Sequence, residues 1–509
     1  MRRRDLQIID EEVSTHHQRI RELNTRRNTY AEISILPQEL LVDIFLLVQN
    51  NSPLEDWHQI AHVCRHWRHT AVNTAILWTE PPTRHPDYTD LMLYRSKRAN
   101  LNIVLGSEIP TATITSILSH IGRIQTLQMA LSMEELTDVC KRFIVSGHML
   151  LQLESLNIRC LDLSGFGVTT KWRFTSILIR QSSSLRSLCL TRVAFDWQML
   201  APFDLVSLHL IDIGLVDKIS TKTLLDTFRQ MPLLQHLSLS LADLLRPGDV
   251  PAIQASKVAL PCLESLNVIE CKSLHIPYLL SHLLLPRLNR LQIDASARGE
   301  NEGYYSNTLA TIMTTIKNGD FRVGGRLFVE RRHISIAALG CDRIFVTIWL
   351  PKASNTYHEI QCTQQFLKQI VSTYNGLAQV TLGIPLNSDE LVEIFSNTHQ
   401  LKAISIYGHN SLVFALNVAL AYRTGHNSQN GARVFSSLDT IGCDNVEWDE
   451  IDSSVVTNFC HTLLQRSNYA TPIKTIYCFN PLPEWAMEML EDGGICVSDG
   501  EVPGALYWI

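Results

Sequence analysis

Four histidines and one cysteine lie within twelve residues, in the stretch HQIAHVCRHWRH that runs from 58 to 69. Imidazole and thiolate groups are usual ligands of zinc, and histidines four residues apart on a helix can bind one ion together. On a single helix the histidines would share one stripe: His58, His62, His66 and His69. Ile60, Val63 and Trp67 would lie on the opposite side, with Cys64 near them. A zinc site needs three or four ligands and Cys64 would point away from the histidines, so we expect no metal here.

The local signatures of an enzyme are missing from the sequence. There is no glycine-rich phosphate loop and no Gly-x-Ser-x-Gly turn around a nucleophile. The carboxylates of residues 443–452, CDNVEWDEID, form a run in a polar turn, which is usually a solvated surface. Cys189 and Cys478 lie in predicted strands, where burial is the more frequent role of a cysteine. We therefore expect no enzyme and no cofactor, although a site assembled from distant residues would leave no such motif.

The composition is that of a globular protein. The 509 residues carry a net charge of −6 and are 45% hydrophobic, which suits two or more domains. This charge gives no reason to expect nucleic acid or an anionic membrane as a partner. The twelve cysteines lack Cys-x-x-Cys spacing, no signal peptide is evident, and no run of about 18 apolar residues could span a membrane. We expect reduced thiols and a location in the cytosol or nucleus.

Residues 5–30 have the pattern of one amphipathic helix. Apolar side chains recur there at heptad spacing: Leu6, Ile9, Val13, Ile20, Leu23 and Tyr30. His16 and Arg27 interrupt the stripe. Two interpretations stay open, since such a helix can pack on its own neighbour in the chain or form a short dimerising coiled coil.

Residues 33–82 form a compact helical module in the sequence pattern. Pro37 suits the first turn of a helix, and Leu40, Ile44 and Leu47 supply its apolar stripe. A polar run at 49–53 ends this helix, and the histidine-rich helix follows. A module of about fifty residues is too small to bury a stable hydrophobic core alone, so we expect it to pack against a partner.

The module resembles an F-box. The resemblance rests on Leu36-Pro37-x-Glu39-Leu40, Ile44-Phe45, Val63-Cys64-Arg65-x-Trp67-Arg68 and Leu77-Trp78, in that order. The preceding heptad helix is similar to that of many fungal F-box proteins. The resemblance implies docking on a Skp-type adaptor, which links the chain to a cullin–RING ubiquitin ligase. The adaptor-binding residues that it implies are Leu36, Pro37, Glu39, Leu40, Ile44, Phe45, Val63, Cys64 and Trp67. The histidines then occupy positions that the motif leaves open.

A second pattern, Leu-x-x-Leu-x-apolar, repeats beyond residue 98. Six strong copies start at residues 153, 185, 205, 234, 263 and 288, and weaker copies start at 124, 377, 401 and 473. Spacings of twenty to thirty-two residues between the strong copies are typical of leucine-rich repeats, each a short strand followed by a helix or loop. The Asn or Cys of that repeat occurs only as Cys271, so we predict an irregular solenoid with a parallel sheet.

Between residues 297 and 340 the repeat pattern lapses. We expect a surface loop at 298–308, then a helix, then paired strands or degenerate repeats at RLFVE and HISIA. A further loop is predicted at 424–433. The stretch at 483–494 is predicted to be a final helix that caps the solenoid.

The repeat strands present a polar face. Because strand side chains alternate, the leucines point into the core and the intervening residues point out. Candidate substrate-binding residues on this face are Ser155, Asn157, Ser187, Ser207, His209, His236, Ser265, Asn267 and Arg290. Small polar residues in register leave room for a ligand strand or loop, although a solvated sheet face would be polar as well.

The sequence thus predicts an α/β chain with three parts: a heptad helix (1–32), an all-α F-box (33–82) and a leucine-rich-repeat-like solenoid (83–509). The function that follows is substrate recognition in a Skp–cullin–F-box ubiquitin ligase, in which the F-box binds the adaptor and the solenoid binds an unidentified target protein. The alternative is a non-catalytic interaction scaffold without a degradative role.

Overall fold

The computed structural model describes most of the chain. The described residues are 2–52, 56–146, 150–162, 179, 182–194, 196–200, 204–213, 218–240, 245, 257–269, 275–294, 303–318, 325–337, 344–349, 356–373, 376–395, 397–421, 435–467, 472–500 and 502–503. The predicted loop at 424–433 and Cys271 lie outside them. The chain divides into two compact units, residues 1–199 and 200–509.

The first unit begins with helices. They are α1 (Arg2–Asn28), α2 (Gln38–Asn51), α3 (Ile60–Val63), α4 (Arg65–Asn73), α5 (Pro86–Arg95), α6 (Thr111–Leu118) and α7 (Met133–Val145). Tight 3-10 turns precede α2 at Glu32–Ile35, precede α3 at Trp57–Gln59 and follow α4 at Ala75–Trp78. The prediction of one helix across the histidine-rich stretch is wrong. Cys64 has extended backbone, with φ −155° and ψ 173°, and separates α3 from α4.

Residues of α2, α3 and α4 enclose a small apolar core. Its buried side chains are Leu41, Phe45, Trp57, Ile60, Ala61, Ala71, Leu77, Trp78 and Met92. The indole N–H of Trp78 donates to the carbonyl of Ala71 at 2.8 Å, so this large ring is buried without an orphaned donor. Met92 belongs to α5, which lies beyond the predicted F-box boundary at residue 82. The helical module therefore completes its core with the helix that follows it.

Four strands follow in the first unit: β1 (Leu101–Leu105), β2 (Ile124–Leu131), β3 (Ser155–Cys160) and β4 (Ser187–Thr191). They lie side by side in chain order, and each pairs in parallel with the next. Parallel neighbours need a crossover, which α6 and α7 supply between β1 and β3. A capping box between Ser132 and Glu135 fixes the start of α7.

The second unit contains the remaining strands. They are β5 (Ser207–Ile211), β6 (His236–Ser240), β7 (Val258–Ala259), β8 (Ser265–Ile269), β9 (Leu283–Leu284), β10 (Arg290–Asp294), β11 (Gly325–Glu330), β12 (His333–Ala337), β13 (Ile344–Trp349), β14 (Leu377–Gly383), β15 (Ala403–Tyr407), β16 (Thr440–Asp444), β17 (Thr475–Cys478) and β18 (Cys496–Asp499). Its helices are α8 (Thr221–Arg229), α9 (His275–His282), α10 (Gly303–Asn318), α11 (Thr356–Thr373), α12 (Ser388–Phe395), α13 (Asn410–Ala421), α14 (Ser453–Ser467) and α15 (Glu484–Asp492). From α9 to α15 each helix packs against the next, as in a solenoid.

Every copy of the Leu-x-x-Leu-x-apolar pattern contains a strand, and the predicted α/β solenoid with a parallel sheet is confirmed. The strand residues Leu208, Leu237 and Leu266 are buried, as expected for a continuous core between stacked units. The pattern also occurs at Leu438-x-x-Ile441-x-Cys443, which contains β16.

One strand of the second unit runs against the others. In space the order is β10, β13, β12, β11 and β14. The pairs made by β12 are antiparallel, whereas β10 with β13 and β11 with β14 are parallel. RLFVE and HISIA therefore form the paired strands β11 and β12, which confirms the first of the two interpretations of this sequence.

Two other expectations need correction. Residues 303–308 belong to helix α10 rather than to a loop, because the helix starts earlier than its apolar residues indicated. The helix at Glu484–Asp492 is not the last element, since β18 follows and pairs in parallel with β17.

Candidate functional site

Helix α2 has two apolar sides with different surroundings. Leu41 and Phe45 are fully buried in the module, whereas Leu40 and Leu47 are 49% and 60% exposed. At about 100° per residue, Leu40, Ile44 and Leu47 share one stripe, and Leu41 and Phe45 lie on the adjacent one. The predicted contact residue Phe45 therefore supports this surface from beneath and does not form it.

The segment that leads into α2 extends the exposed surface. Leu36 is half-buried and Pro37 is exposed directly before the helix. We call Leu36, Pro37, Leu40, Ile44 and Leu47 the N-terminal apolar face. Glu39 is exposed in the first turn beside it. Leu47 is the third residue of the apolar α2 stripe in the sequence, so its place on this face was predictable from helical periodicity. It is not among the adaptor-binding residues that the F-box resemblance implies.

Cys64 and Trp67 have structural roles at the break between α3 and α4. The Cys64 Sγ accepts a hydrogen bond from the Trp67 backbone N–H at 3.4 Å and caps α4. The Trp67 ring then lies 5.1 Å from the Phe45 ring, centroid to centroid. The guanidinium of Arg68 donates to the Ala61 carbonyl at 2.9 Å and ties the two helices together. Val63, which the resemblance assigns to the adaptor-binding residues, is 59% exposed at the end of α3.

The break separates the histidines. His58 lies in a 3-10 turn, His62 in α3, and His66 and His69 in α4. The rings of His58 and His62 are 6.3 Å apart, centroid to centroid, and nearly perpendicular. Among the described residues, no group of three or more histidine, cysteine or carboxylate side chains is placed to hold a metal ion.

The predicted substrate-binding residues lie in rows on the outer face of the strands. In the first unit Ser155 pairs with Ser187, and Asn157 pairs with Cys189. In the second unit one row crosses four neighbouring strands: Ser207, His236, Ser265 and Arg290. At about 4.8 Å between strands this row is about 14 Å long. All nine predicted side chains are exposed or half-exposed.

The next row of the second unit is buried at its centre, where Ser238 lies. It runs from His209 through Ser238 and Asn267 to Gln292. Burial, with the charge of His236 beside it, lowers the pKa of His209. The Ser238 hydroxyl and the Asn267 side-chain oxygen are buried without a hydrogen-bond partner among the described residues. This row therefore offers neutral groups with unused hydrogen-bonding capacity.

Residues near the C-terminus cover another part of the outer face. Val502 is buried and lies directly over Gly442 of β16, where an added Cβ would come within 2.8 Å of Val502 Cγ2. The side-chain amide of Gln379 in β14 donates to the carbonyl of Pro503 at 3.4 Å. This cover was not foreseen, because no local pattern links residues so far apart in the sequence.

A charged cluster lies beside the reversed strand β12. Arg331 and Glu359 form an ion pair at 2.7 Å, in which the carboxylate is almost fully buried. His333 stacks on Trp349, with ring centroids 4.4 Å apart, and its Nε2 lies 2.9 Å from the Ser335 hydroxyl. Burial lowers the pKa of His333 to about 4, so the ring is neutral at physiological pH.

Comparison with known proteins gives a family match for the N-terminal helical module. Residues 33–81 match the F-box-like family model, which confirms the resemblance over this region. No curated protein sequence matches the chain. Among solved structures, a chain of the "Crystal structure of Rad7 and Elc1 complex in yeast" is similar with 14% identity and a TM-score of 0.29, over 84% of this chain and 96% of that chain.

The chain thus carries an F-box-like region near its N-terminus, followed by parallel strands and helices in a solenoid-like arrangement. No helix among the described residues is both long and apolar enough to cross a membrane.

Proposed function

We propose that this chain is the substrate-recognition subunit of a Skp–cullin–F-box ubiquitin ligase. The observation that carries the proposal is the match of residues 33–81 to the F-box-like family, in a module that leaves apolar side chains uncovered. Its place of action would be the cytosol or nucleus.

The N-terminal apolar face is the proposed adaptor-binding surface. Leu40 and Leu47 stand one above the other on α2 and remain exposed, although the module has its own closed core beneath them. A contiguous exposed apolar surface of this kind marks a protein interface. Glu39 and Asp43 lie on the same helix and are exposed, which suits the polar rim of an interface. A stable interface buries about 1,200–2,000 Å², so the adaptor would cover more than these residues.

The polar rows of the strands are the proposed target-binding surface. In the second unit, the row from Ser207 to Arg290 combines small hydroxyls with a histidine and an exposed guanidinium. Small side chains allow the backbone of a target loop to approach, and the buried oxygens of Ser238 and Asn267 would gain partners from it.

In this proposal the chain makes and breaks no bond. Its contribution is to hold the target near the charged conjugating enzyme, which raises the effective concentration of the target lysines.

The test is a binding measurement with a purified Skp-type adaptor and the full chain. Replacing Leu40 and Leu47 together with Ser should weaken binding about thirty- to thousand-fold, as expected for apolar anchors of an interface. The matched control replaces the exposed residues Val145 and Leu151 with Ser, outside the F-box but in the same unit, and should leave binding unchanged. A full chain that binds no Skp-type adaptor, or that binds equally well after the Leu40/Leu47 change, would disprove the proposal.

A second measurement separates a ligase subunit from a scaffold. Proteins captured on the chain should become ubiquitinated when adaptor, cullin, RING protein and conjugating enzyme are added. Captured proteins that remain unmodified in a complete, active ligase would favour the scaffold.

A further inference from the structure

Helix α1 presents an apolar stripe that the described residues leave uncovered. From residue 6 to residue 27 every side chain is exposed. The heptad residues are 46% to 58% exposed: Leu6, Ile9, Val13, Ile20 and Leu23. Packing of this stripe on its own neighbour, one of the two interpretations of the sequence, is therefore not what the structure shows. A helix of 27 residues gains most of its stability from burying such a stripe, so an occupant is needed.

The charges of α1 indicate which occupant fits. Its first half carries acidic side chains, Asp5, Asp10, Glu11 and Glu12, after an initial run of arginines. Its second half carries basic side chains, Arg19, Arg21, Arg26 and Arg27, with one acidic residue, Glu22. A second copy that runs in the opposite direction places acidic positions against basic ones, and it also opposes the two helix dipoles.

We propose that α1 pairs with α1 of a second copy of this chain as an antiparallel coiled coil. With Leu6 and Val13 at heptad position a, and Ile9 and His16 at position d, the layers would be Leu6 with Leu23 of the second copy, Ile9 with Ile20, and Val13 with His16. This register buries all five exposed stripe residues and leaves only His16 as a polar group in the central layers.

The flanking positions agree with the same register. Glu12 faces Arg19 of the second copy on one side of the seam, and Asp10 faces His17 on the other. Within one chain Arg19 contacts Glu22 at 3.1 Å, but both side chains are largely exposed, so this ion pair is weak and can be exchanged.

A parallel pair fits less well. In parallel register Arg19 would face Asn24 of the second copy, so the attraction between Glu12 and Arg19 would be lost. His16 would also stack on His16 inside the seam, whereas in the antiparallel register it faces Val13. The charge pattern of the sequence therefore selects the antiparallel direction.

The antiparallel direction has a consequence for the F-box. Each chain leaves the coiled coil at Asn28, and the two exits would be about 40 Å apart, at about 1.5 Å per residue. The two F-boxes would then start from opposite ends, and each could bind its own adaptor. The inference does not depend on the proposed ligase function, since it concerns only self-association.

Cysteine cross-linking on the full chain tests the direction. Three samples are oxidised: the Leu6→Cys variant alone, the Leu23→Cys variant alone, and an equimolar mixture of the two. Disulfide-linked peptides are identified by mass spectrometry, because twelve native cysteines are also present. The antiparallel pair predicts that the mixture forms a disulfide between position 6 of one chain and position 23 of the other. It also predicts that neither variant alone links its introduced cysteine to the same position of a second copy.

Two outcomes of this experiment would overturn the proposal. The first is a disulfide between the two copies of position 6 when the Leu6→Cys variant is oxidised alone, since only a parallel pair brings these positions together. The second is a chain that sediments as a monomer at all concentrations.

Charge reversal provides an independent measurement of the register. Glu12→Arg should weaken dimerisation about tenfold or more, because two attractive pairs become repulsive. Adding Arg19→Glu to the same chain should restore it. The matched control is Glu11→Arg, which changes the same charge outside the seam and should weaken dimerisation far less. Failure of Arg19→Glu to rescue Glu12→Arg would contradict the proposed register even if the chain dimerises.

Discussion

The thiol of Cys64 accepts the backbone N–H of Trp67 at 3.4 Å, at the point where the chain turns from α3 into α4. A thiol is a weak acceptor, so this is an unusual N-cap for a short helix. Its effect is to place Trp67 against Phe45, 5.1 Å away between ring centroids. The Cys-Arg-x-Trp part of the F-box pattern therefore shapes the module, while the Leu-Pro part lies at its surface.

The cap gives a first prediction. Cys64→Ser keeps an acceptor at the N-cap, and serine is preferred there, so the stability of the module should be unchanged or slightly higher. Cys64→Ala removes the acceptor and should destabilise by about 0.5–2 kcal/mol. Urea unfolding followed by tryptophan fluorescence measures both. Equal loss for the two variants would show that thiol packing matters more than the cap.

A second prediction separates contact residues from core residues of the F-box. Phe45→Ala removes a fully buried ring and should cost about 3–5 kcal/mol, so helicity and adaptor binding are lost together. Leu36→Ala with Pro37→Ala changes residues at the surface and should lose about 2–4 kcal/mol of adaptor binding with the fold intact. Circular dichroism and binding titrations on each variant check this. Binding that survives in a folded Leu36/Pro37 variant would remove these two residues from the interface.

A third prediction concerns the cover over β16. Gly442→Val would place its Cβ against Ser405 and Val502, so either the residues near the C-terminus move away or the strand is strained. The expected cost is about 1–3 kcal/mol, together with faster hydrogen exchange in β15 and β16. The matched control is Gly106→Val, since an added Cβ at Gly106 meets nothing within 4 Å. Similar costs at both positions would mean that the packing of Val502 is unimportant.

A fourth prediction follows from His333. Its pKa in the folded protein is about 4, below the ordinary value of 6.5, because burial disfavours the charged ring. As the pH falls, His333 is protonated in the unfolded chain before it is protonated in the folded chain. The stability that the neutral, buried ring contributes to the folded state is therefore present above about pH 6.5 and is lost as the pH falls towards 4. The cavity around His333 is also lined by four charged residues, which contribute to the electrostatic field at the ring: Glu330, Arg331, Arg332 and Glu359.

Unfolding midpoints at pH 7.5 and pH 5.0 measure this dependence. The difference between the two pH values should shrink in His333→Gln. It should stay as in the wild type in His461→Gln, where the side chain is exposed. An unchanged difference in the His333 variant would mean that other groups dominate the acid sensitivity.

Much of the fold could be predicted from the sequence, because the strands follow a strict alternation. In each Leu-x-x-Leu-x-apolar copy the alternate residues enter the core, and this period of two survives where cysteine takes the last apolar position, at Cys443 and Cys478. The F-box break could not be predicted in the same way. Helical periodicity runs smoothly through Val63, Cys64 and Trp67, and only the cap geometry shows that the helix stops there.

The candidate sites were predictable only in part. The F-box resemblance assigns both Leu40 and Phe45 to the adaptor-binding residues, although they lie about 140° apart around α2. Only the structure shows that the Phe45 side is buried and the Leu40 side is exposed. Likewise the cover of Gly442 by Val502 joins positions 60 residues apart, beyond the reach of any local pattern.

The reversed strand β12 has a consequence for how the second unit assembles. A regular solenoid can grow by adding one repeat after another, because each repeat needs only its predecessor. Here β11 follows β10 in the chain but lies three places away, and β13 must return to fill the position beside β10. Growth from the N-terminal side therefore halts until a whole three-strand meander has formed, and β14 cannot dock before that. We expect a kinetic barrier at this point, seen in pulsed hydrogen exchange as protection that appears in β14 to β17 only together with β11.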